Sequence, residues 1–204
     1  MRRTLAVCAV AATLVGVSGS TALATPEPEG DEYTHETEDG WVPVDPALYA
    51  EPIQAAACGG VVTILPGDVF DVEERLTELA TGETLREFRG AWTIDLVRES
   101  DGATIDELDI SGAGWELASP RDGEIRITNV LYGASLLWPY LGVEADLAAF
   151  EEAGLPSLAY YTDPAESVEV EFVVNEETGE ITDVEFDHVD ATITDLCPAF
   201  DEEH

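Results

Sequence analysis

Cys58 and Cys197 are the feature that most constrains the fold of this chain, because nearly every stretch that resembles ordered structure lies between them. The third cysteine, Cys8, lies in an apolar N-terminal segment with the pattern of a removable export signal. The remaining two are therefore expected to form a disulfide, as oxidising compartments allow. Closing so long a loop removes unfolded-state entropy worth up to about 5 kcal/mol. We expect a domain whose two ends are tied together.

Residues 1–24 have the three parts of a secretory signal peptide. Arg2 and Arg3 are followed by an apolar run over 5–17 and by the small-residue site at 22–24. The apolar run is too short for a membrane span. We predict cleavage near Ala24 and a secreted protein, located outside the cell or in the cell envelope.

The charge balance excludes several partners. The chain has 44 acidic residues against 8 basic ones, all arginine, and losing Arg2 and Arg3 takes the net charge from −36 to −38. Nucleic acids and anionic membranes bind through Lys and Arg, so we expect neither as a partner. The carboxylates are spread over the chain, which is typical of a solvated surface adapted to saline or alkaline surroundings. A surface for cations or a basic partner is the alternative.

The segment 25–57 is rich in proline and acid, and its composition predicts a disordered or extended acidic leader. Five apolar or aromatic residues are exceptions that either pack across the domain or form a short binding motif: Trp41, Val42, Val44, Leu48 and Tyr49. The domain itself is predicted over 58–200, followed by an acidic tail over 201–204.

Alternating apolar residues and turn signals predict short strands from Val61 onward. Pro66-Gly67 is expected to end the first strand, and the stretch 69–79 also fits a helical pattern. Asp122-Gly123 is typical of a tight hairpin. The strands are predicted at 61–65, 69–79, 84–98, 103–111, 115–117, 124–130, 158–162, 168–174, 180–187 and 191–196.

About eight to ten strands joined largely by hairpins predict an all-β fold, an antiparallel meander. A disulfide between its ends favours a closed or nearly closed barrel, since closure removes exposed edges. A two-sheet sandwich is the alternative. One short helix is predicted over 144–153, in an insertion with an acidic first turn and with Gly154 and Pro156 as stop signals.

Three short motifs resemble a group of uncharacterised secreted actinobacterial proteins. They are Cys58 with Gly59-Gly60-Val61-Val62-Thr63, the stretch Asp109-Ile110-Ser111-Gly112, and Thr194-Asp195-Leu196-Cys197. The resemblance covers 58–200. It implies export and a disulfide-closed β domain but no particular activity.

The catalytic inventory is sparse. The sequence has three histidines, of which only His188 falls inside the predicted domain, and it contains no nucleophile elbow, zinc spacing, phosphate loop or dinucleotide fingerprint. We therefore predict a non-catalytic protein with no cofactor and no metal site. The acidic residues near the last strands are interpreted as a solvated face. A hydrolase using two carboxylates is the weaker alternative, because 44 acidic residues make any pair uninformative.

Aromatic residues gather around the predicted helix: Trp138, Tyr140, Phe150, Tyr160 and Tyr161. They either pack the helix onto the strands or line a pocket for a small apolar ligand. We therefore expect a monomer with a structural or interaction role toward a cell-envelope partner, with a small-ligand carrier as the alternative. A carrier requires a cavity beside Trp138 and Tyr160. An enzyme requires one buried carboxylate beside another in a cleft, with a raised pKa.

Overall fold

The structure is a computed structural model that describes residues 40–202. It is built from twelve β-strands and one α-helix, with short 3₁₀ turns at Pro46–Tyr49 and Cys197–Asp201. In chain order the elements are β1 (Val42–Pro43), β2 (Ile53–Ala57), β3 (Gly60–Glu78), β4 (Thr84–Arg98), β5 (Ala103–Asp109), β6 (Gly114–Arg121), β7 (Glu124–Tyr132), β8 (Ser135–Leu137), α1 (Glu144–Glu152), β9 (Ala159–Tyr161), β10 (Ser167–Asn175), β11 (Ile181–Asp190) and β12 (Thr194–Asp195).

The long antiparallel hairpin of β3 and β4 is the centre of the fold. The predicted break at Pro66-Gly67 is wrong, because β3 continues through it with an irregularity between Pro66 and Phe70. Gly67 permits this passage, since a Cβ there would lie 2.8 Å from the Thr93 backbone. The stretch 69–79, which also fits a helix, lies in β3 up to Glu78.

The two ends of this hairpin have different neighbours. The disulfide-proximal end pairs with β2 and β5, while the other end pairs with β1 and β6. Beyond β6 the sheet continues through β7, β10 and β11, which makes nine antiparallel strands in all. The predicted all-β antiparallel fold is confirmed.

The nine-stranded sheet is open, so the predicted barrel closure is wrong. Within residues 40–202 no strand joins the outer edge of β11 to the opposite side of the sheet. Along its length β4 pairs first with β6 and then with β5, which divides the sheet into two wings that share the β3–β4 hairpin. The first wing adds β2 and β5 to the hairpin, and the second wing adds β1, β6, β7, β10 and β11. The sandwich alternative describes the result better, since the three strands β12, β9 and β8 form a separate small sheet. Leu136 of β8, together with Trp138 and Leu158, shares a hydrophobic core with residues of β2, β3 and β4.

The predicted Cys58–Cys197 disulfide is present. Cys58 and Gly59 both have positive φ angles and form the tight turn between β2 and β3. The Cys58 N–H donates a 3.0 Å hydrogen bond to Ser157 Oγ, so the bridge lies where β2, the segment before β9 and the last turn meet.

Residues 41–57 of the predicted disordered or extended leader pack against the domain. The signal at 1–24 and residues 25–39 lie outside the described residues, but β2 pairs with β3, and Trp41 and Val44 are buried. The acidic, proline-rich composition of the whole segment does not indicate this packing, because a few apolar side chains are enough to bind a short extended stretch to the domain. Residues 203–204 of the predicted tail also lie outside the described part, and Asp201 forms an ion pair with Arg98.

The predicted helix is found as α1, and it packs against β11. Gly154 follows it with a positive φ angle, as expected of a stop signal. No helix within 40–202 is long and apolar enough to cross a membrane.

Candidate functional site

A row of buried polar side chains crosses the inner face of the second wing. Arg86 on β4 is paired in register with Glu116 on β6, and Glu116 is paired with Asn129 on β7. Directly paired residues point to the same face of a sheet, so the three side chains are neighbours. Only 6% of Arg86, 5% of Glu116 and 1% of Asn129 is exposed. Such a row is unusual, because buried charges normally need partners.

Arg86 links three elements. Its Nε donates to Glu74 Oε2 on β3 at 2.6 Å, and its Nη2 donates to the Tyr49 hydroxyl at 3.3 Å. Burial raises the pKa of Tyr49, although the nearby Arg86 charge opposes this, so the tyrosine is a neutral hydroxyl. Arg86 therefore ties the 3₁₀ turn that contains Tyr49 to the sheet.

Glu116 lacks this kind of support. Its Oε2 has no hydrogen-bond partner within residues 40–202, and Asn129 Oδ1 also lacks one in that range. Burial raises the pKa of Glu116 to about 7, Arg86 lowers it, and Glu74 raises it. Two buried acceptor oxygens without partners thus lie on adjacent strands, and one of them belongs to a carboxyl group that is easily protonated.

A narrow cleft adjoins this row. Its lining includes Tyr49, Arg86, Trp92, Ser135 and Leu136, and its volume is about 30 Å³, enough for roughly one water molecule. Neither Glu74 nor Glu116 is part of the lining. The cleft is therefore too small for an organic ligand as it stands, and the buried carboxylates do not open into it.

Aromatic rings form one side of this cleft. Tyr49, Phe70 and Trp92 contact one another with ring centroids 5.0 to 5.4 Å apart. Nearby, Trp41 lies against the guanidinium groups of Arg75 and Arg89, at 5.0 and 4.1 Å. Cation–π contacts of this kind are attractive. The segment 41–50 is thus fastened across the second wing by its aromatic residues.

The aromatic residues that we expected to surround one pocket are divided between two cores. Trp138 and Tyr160 belong to the core next to the disulfide, and Tyr140 lies 6.2 Å from Trp138 between ring centroids. Phe150 and Tyr161 belong to a different cluster. The structure therefore does not bring the five residues to a single cavity.

A second, smaller cleft lies under α1. It is lined by Asp146, Phe150, Phe172 and Phe186 among others, and its volume is about 10 Å³. Asp146 is buried and accepts a 2.9 Å hydrogen bond from the Tyr140 N–H. Burial raises its pKa to about 6, and this hydrogen bond opposes the shift.

The polar row was missed by sequence reasoning, although one signal was present. Ile125, Ile127 and Asn129 alternate along one strand, which places the asparagine at an inward position. Glu116 had no such signal, because acidic residues occur throughout the chain. Among the described residues no group of three or more His, Cys, Asp or Glu side chains is arranged to hold a metal ion.

Comparisons with known protein families, with curated proteins and with solved structures gave no match for this chain.

Proposed function

We propose that the chain is a secreted, non-catalytic β domain with a structural or interaction role at or outside the cell surface. The observation that carries this proposal is the filling of the interior. Trp138 is 2% exposed and Tyr161 1%, and each is packed into a hydrophobic core. A protein whose aromatic residues are enclosed on all sides has its outer surface left for interactions.

The carrier alternative has less support. It requires a cavity beside Trp138 and Tyr160, and neither of the two clefts described above includes these residues. Small-molecule pockets usually measure several hundred Å³, far above the volumes found here.

The hydrolase alternative is supported by one buried carboxyl, but that carboxyl is not accessible from the adjoining cleft. Glu116 is a buried carboxyl with a raised pKa close to Glu74, as such an enzyme requires. However, Arg86 is bound to Glu74, and neither carboxyl lines the adjoining cleft. A general acid must reach the substrate within hydrogen-bond distance, so this arrangement favours a non-catalytic role.

Export is supported by the disulfide, which persists in oxidising compartments. The resemblance to secreted actinobacterial proteins agrees with it. The partner that we propose is a component of the cell envelope. The acidic surface keeps the domain soluble and, in high salt, its self-repulsion is screened.

Native mass spectrometry of protein exported through an oxidising compartment tests these alternatives together. We expect a bare species two hydrogens lighter than the reduced chain, beginning near Thr25. A bound small molecule that is lost in Trp138→Ala would instead establish the carrier. Hydrolysis of a glycoside panel that is lost in Glu116→Gln would establish the enzyme.

A further inference from the structure

The pair of unpartnered oxygens on β6 and β7 has a specific chemical requirement. Glu116 and Asn129 are direct register partners, and Glu116 Oε2 and Asn129 Oδ1 are both buried acceptors without a donor among the described residues. Two buried acceptors on register partners, each without a donor, are unfavourable in a low-dielectric interior. A proton on the carboxyl turns one of them into a donor and satisfies both.

Charged groups on the other side of Glu116 determine how the row responds when that proton leaves. Arg86 on β4 faces Glu116 in register, Glu74 on β3 holds Arg86, and Tyr49 accepts from Arg86. An ionised Glu116 adds a second carboxylate beside the single guanidinium. Arg86 is then attracted toward Glu116, and its contact to Tyr49, at 3.3 Å, is longer and weaker than its 2.6 Å bond to Glu74.

We propose that Glu116 and Asn129 share a proton across the β6–β7 pair and that loss of this proton loosens the segment 41–50 by drawing Arg86 from Tyr49. This goes beyond the proposed function, because it makes the surface around Trp41 and Tyr49 dependent on pH. The raised pKa of Glu116 agrees with the geometry. The opposite arrangement, with the Asn129 amide nitrogen turned toward a carboxylate, would stabilise the charged form.

The test combines a titration with hydrogen exchange on the purified protein. NMR of labelled glutamate carboxyl carbons follows Glu116 directly, and Glu116→Gln identifies its signal. The Val44 amide donates to Val72 O at 2.9 Å and reports on the segment. We expect Glu116 to titrate near pH 7 and the protection factor of Val44 to fall by about tenfold between pH 6 and pH 8, the size expected for losing one charged hydrogen bond.

Matched variants separate this effect from the general charge of the protein. Glu116→Gln should keep Val44 equally protected at both pH values, because its amide donates to Asn129 whatever the pH. Glu185→Gln removes one exposed carboxylate from β11 and should behave as the unmodified protein.

Two results would overturn the proposal. One is a Glu116 that titrates at about pH 4.5 or below, its ordinary value, which would show the amide donating to a carboxylate. The other is a Val44 protection factor that does not follow the Glu116 titration. Both measurements need only the unmodified protein once the signals are assigned, so the proposal stays testable if Glu116→Gln does not fold.

Discussion

The two ends of the β3–β4 hairpin are made from the same two strands and are stabilised in different ways. At the disulfide end, Val62, Ile64, Ile94 and Leu96 are buried in one apolar core. At the other end the same strands contribute Glu74 and the buried Arg86, which lie beside the Glu116–Asn129 pair. The apolar end contributes stability that is largely independent of pH, whereas the polar end depends on the protonation state of Glu116. The contrast indicates that the apolar end stabilises the fold at any pH, whereas the stability of the polar end changes with pH.

The largest loss of stability should come from removing the disulfide at the apolar end. Cys58→Ser opens a loop whose two ends are 139 residues apart. We expect the free energy of unfolding to fall by about 3–5 kcal/mol, because the unfolded chain regains loop entropy. Denaturant unfolding measures this, with the unmodified protein under strong reductant as the control. An unchanged transition would mean that the apolar end does not need its disulfide.

A matched leucine pair compares the two ends directly. Leu96 on β4 is 0% exposed, while Leu76 on β3, the register partner of Arg86, is 60% exposed. Leu96→Ala should reduce stability by about 3 kcal/mol, through lost burial and a cavity. Leu76→Ala should change it by less than about 0.5 kcal/mol. Equal losses in the same denaturation experiment would show that the polar end is packed as tightly as the apolar end.

The polar end should show its own pH dependence. The folded pKa of Glu116, about 7, lies above the ordinary value of 4.5, so the folded state holds the proton more tightly. The stability contributed by this group is then complete below about pH 4.5 and is lost as pH rises toward 7. At pH 8, Glu116→Gln should therefore be more stable than the unmodified protein by about 2–3 kcal/mol, and at about pH 4 nearly equal.

Thermal unfolding at both pH values measures this difference. Glu185→Gln is the control for removing one charge from a highly acidic chain. A gain of the same size in both variants would assign the effect to overall repulsion and not to the buried row.

The smallest gain in stability is expected at the helical insertion. The folded pKa of Asp146, about 6, also lies above its ordinary value of 3.8, so its contribution is lost as pH rises from about 4 to 6. Asp146→Asn keeps an acceptor for the Tyr140 N–H and should stabilise the protein by about 1–2 kcal/mol at pH 8. When Asp146→Asn is combined with Glu116→Gln, the two gains should add, since Asp146 lines the cleft under α1 and Glu116 belongs to the polar row on β4, β6 and β7. A non-additive result would show that the insertion and the polar row are coupled.

Local sequence signals predicted many of the elements because those elements are specified locally. Strand β4 was predicted over 84–98 with its observed bounds, and the Asp122-Gly123 turn and helix α1 were found where turn and stop residues indicated them. The wrong predictions concern places where contacts between residues far apart in sequence determine the structure. Pro66-Gly67 is a usual stop signal, yet the close approach of Thr93 keeps the strand continuous.

The candidate site was harder to predict than the fold. The aromatic residues near the helix are close in sequence, but the chain distributes them between two cores. The buried row was not visible, because Arg86, Glu116 and Asn129 become neighbours only through strand register.

By itself the sequence determined the β class, the short helix and the pairing of Cys58 with Cys197. These depend on side-chain alternation, turn and stop residues and the location of the cysteines, all of which are local or countable. Only the tertiary structure decided that the sheet stays open, that residues 41–57 belong to the domain, and that the Glu116 carboxyl is buried beside Arg86. Register and burial depend on which strands pair with one another, and composition does not determine strand pairing.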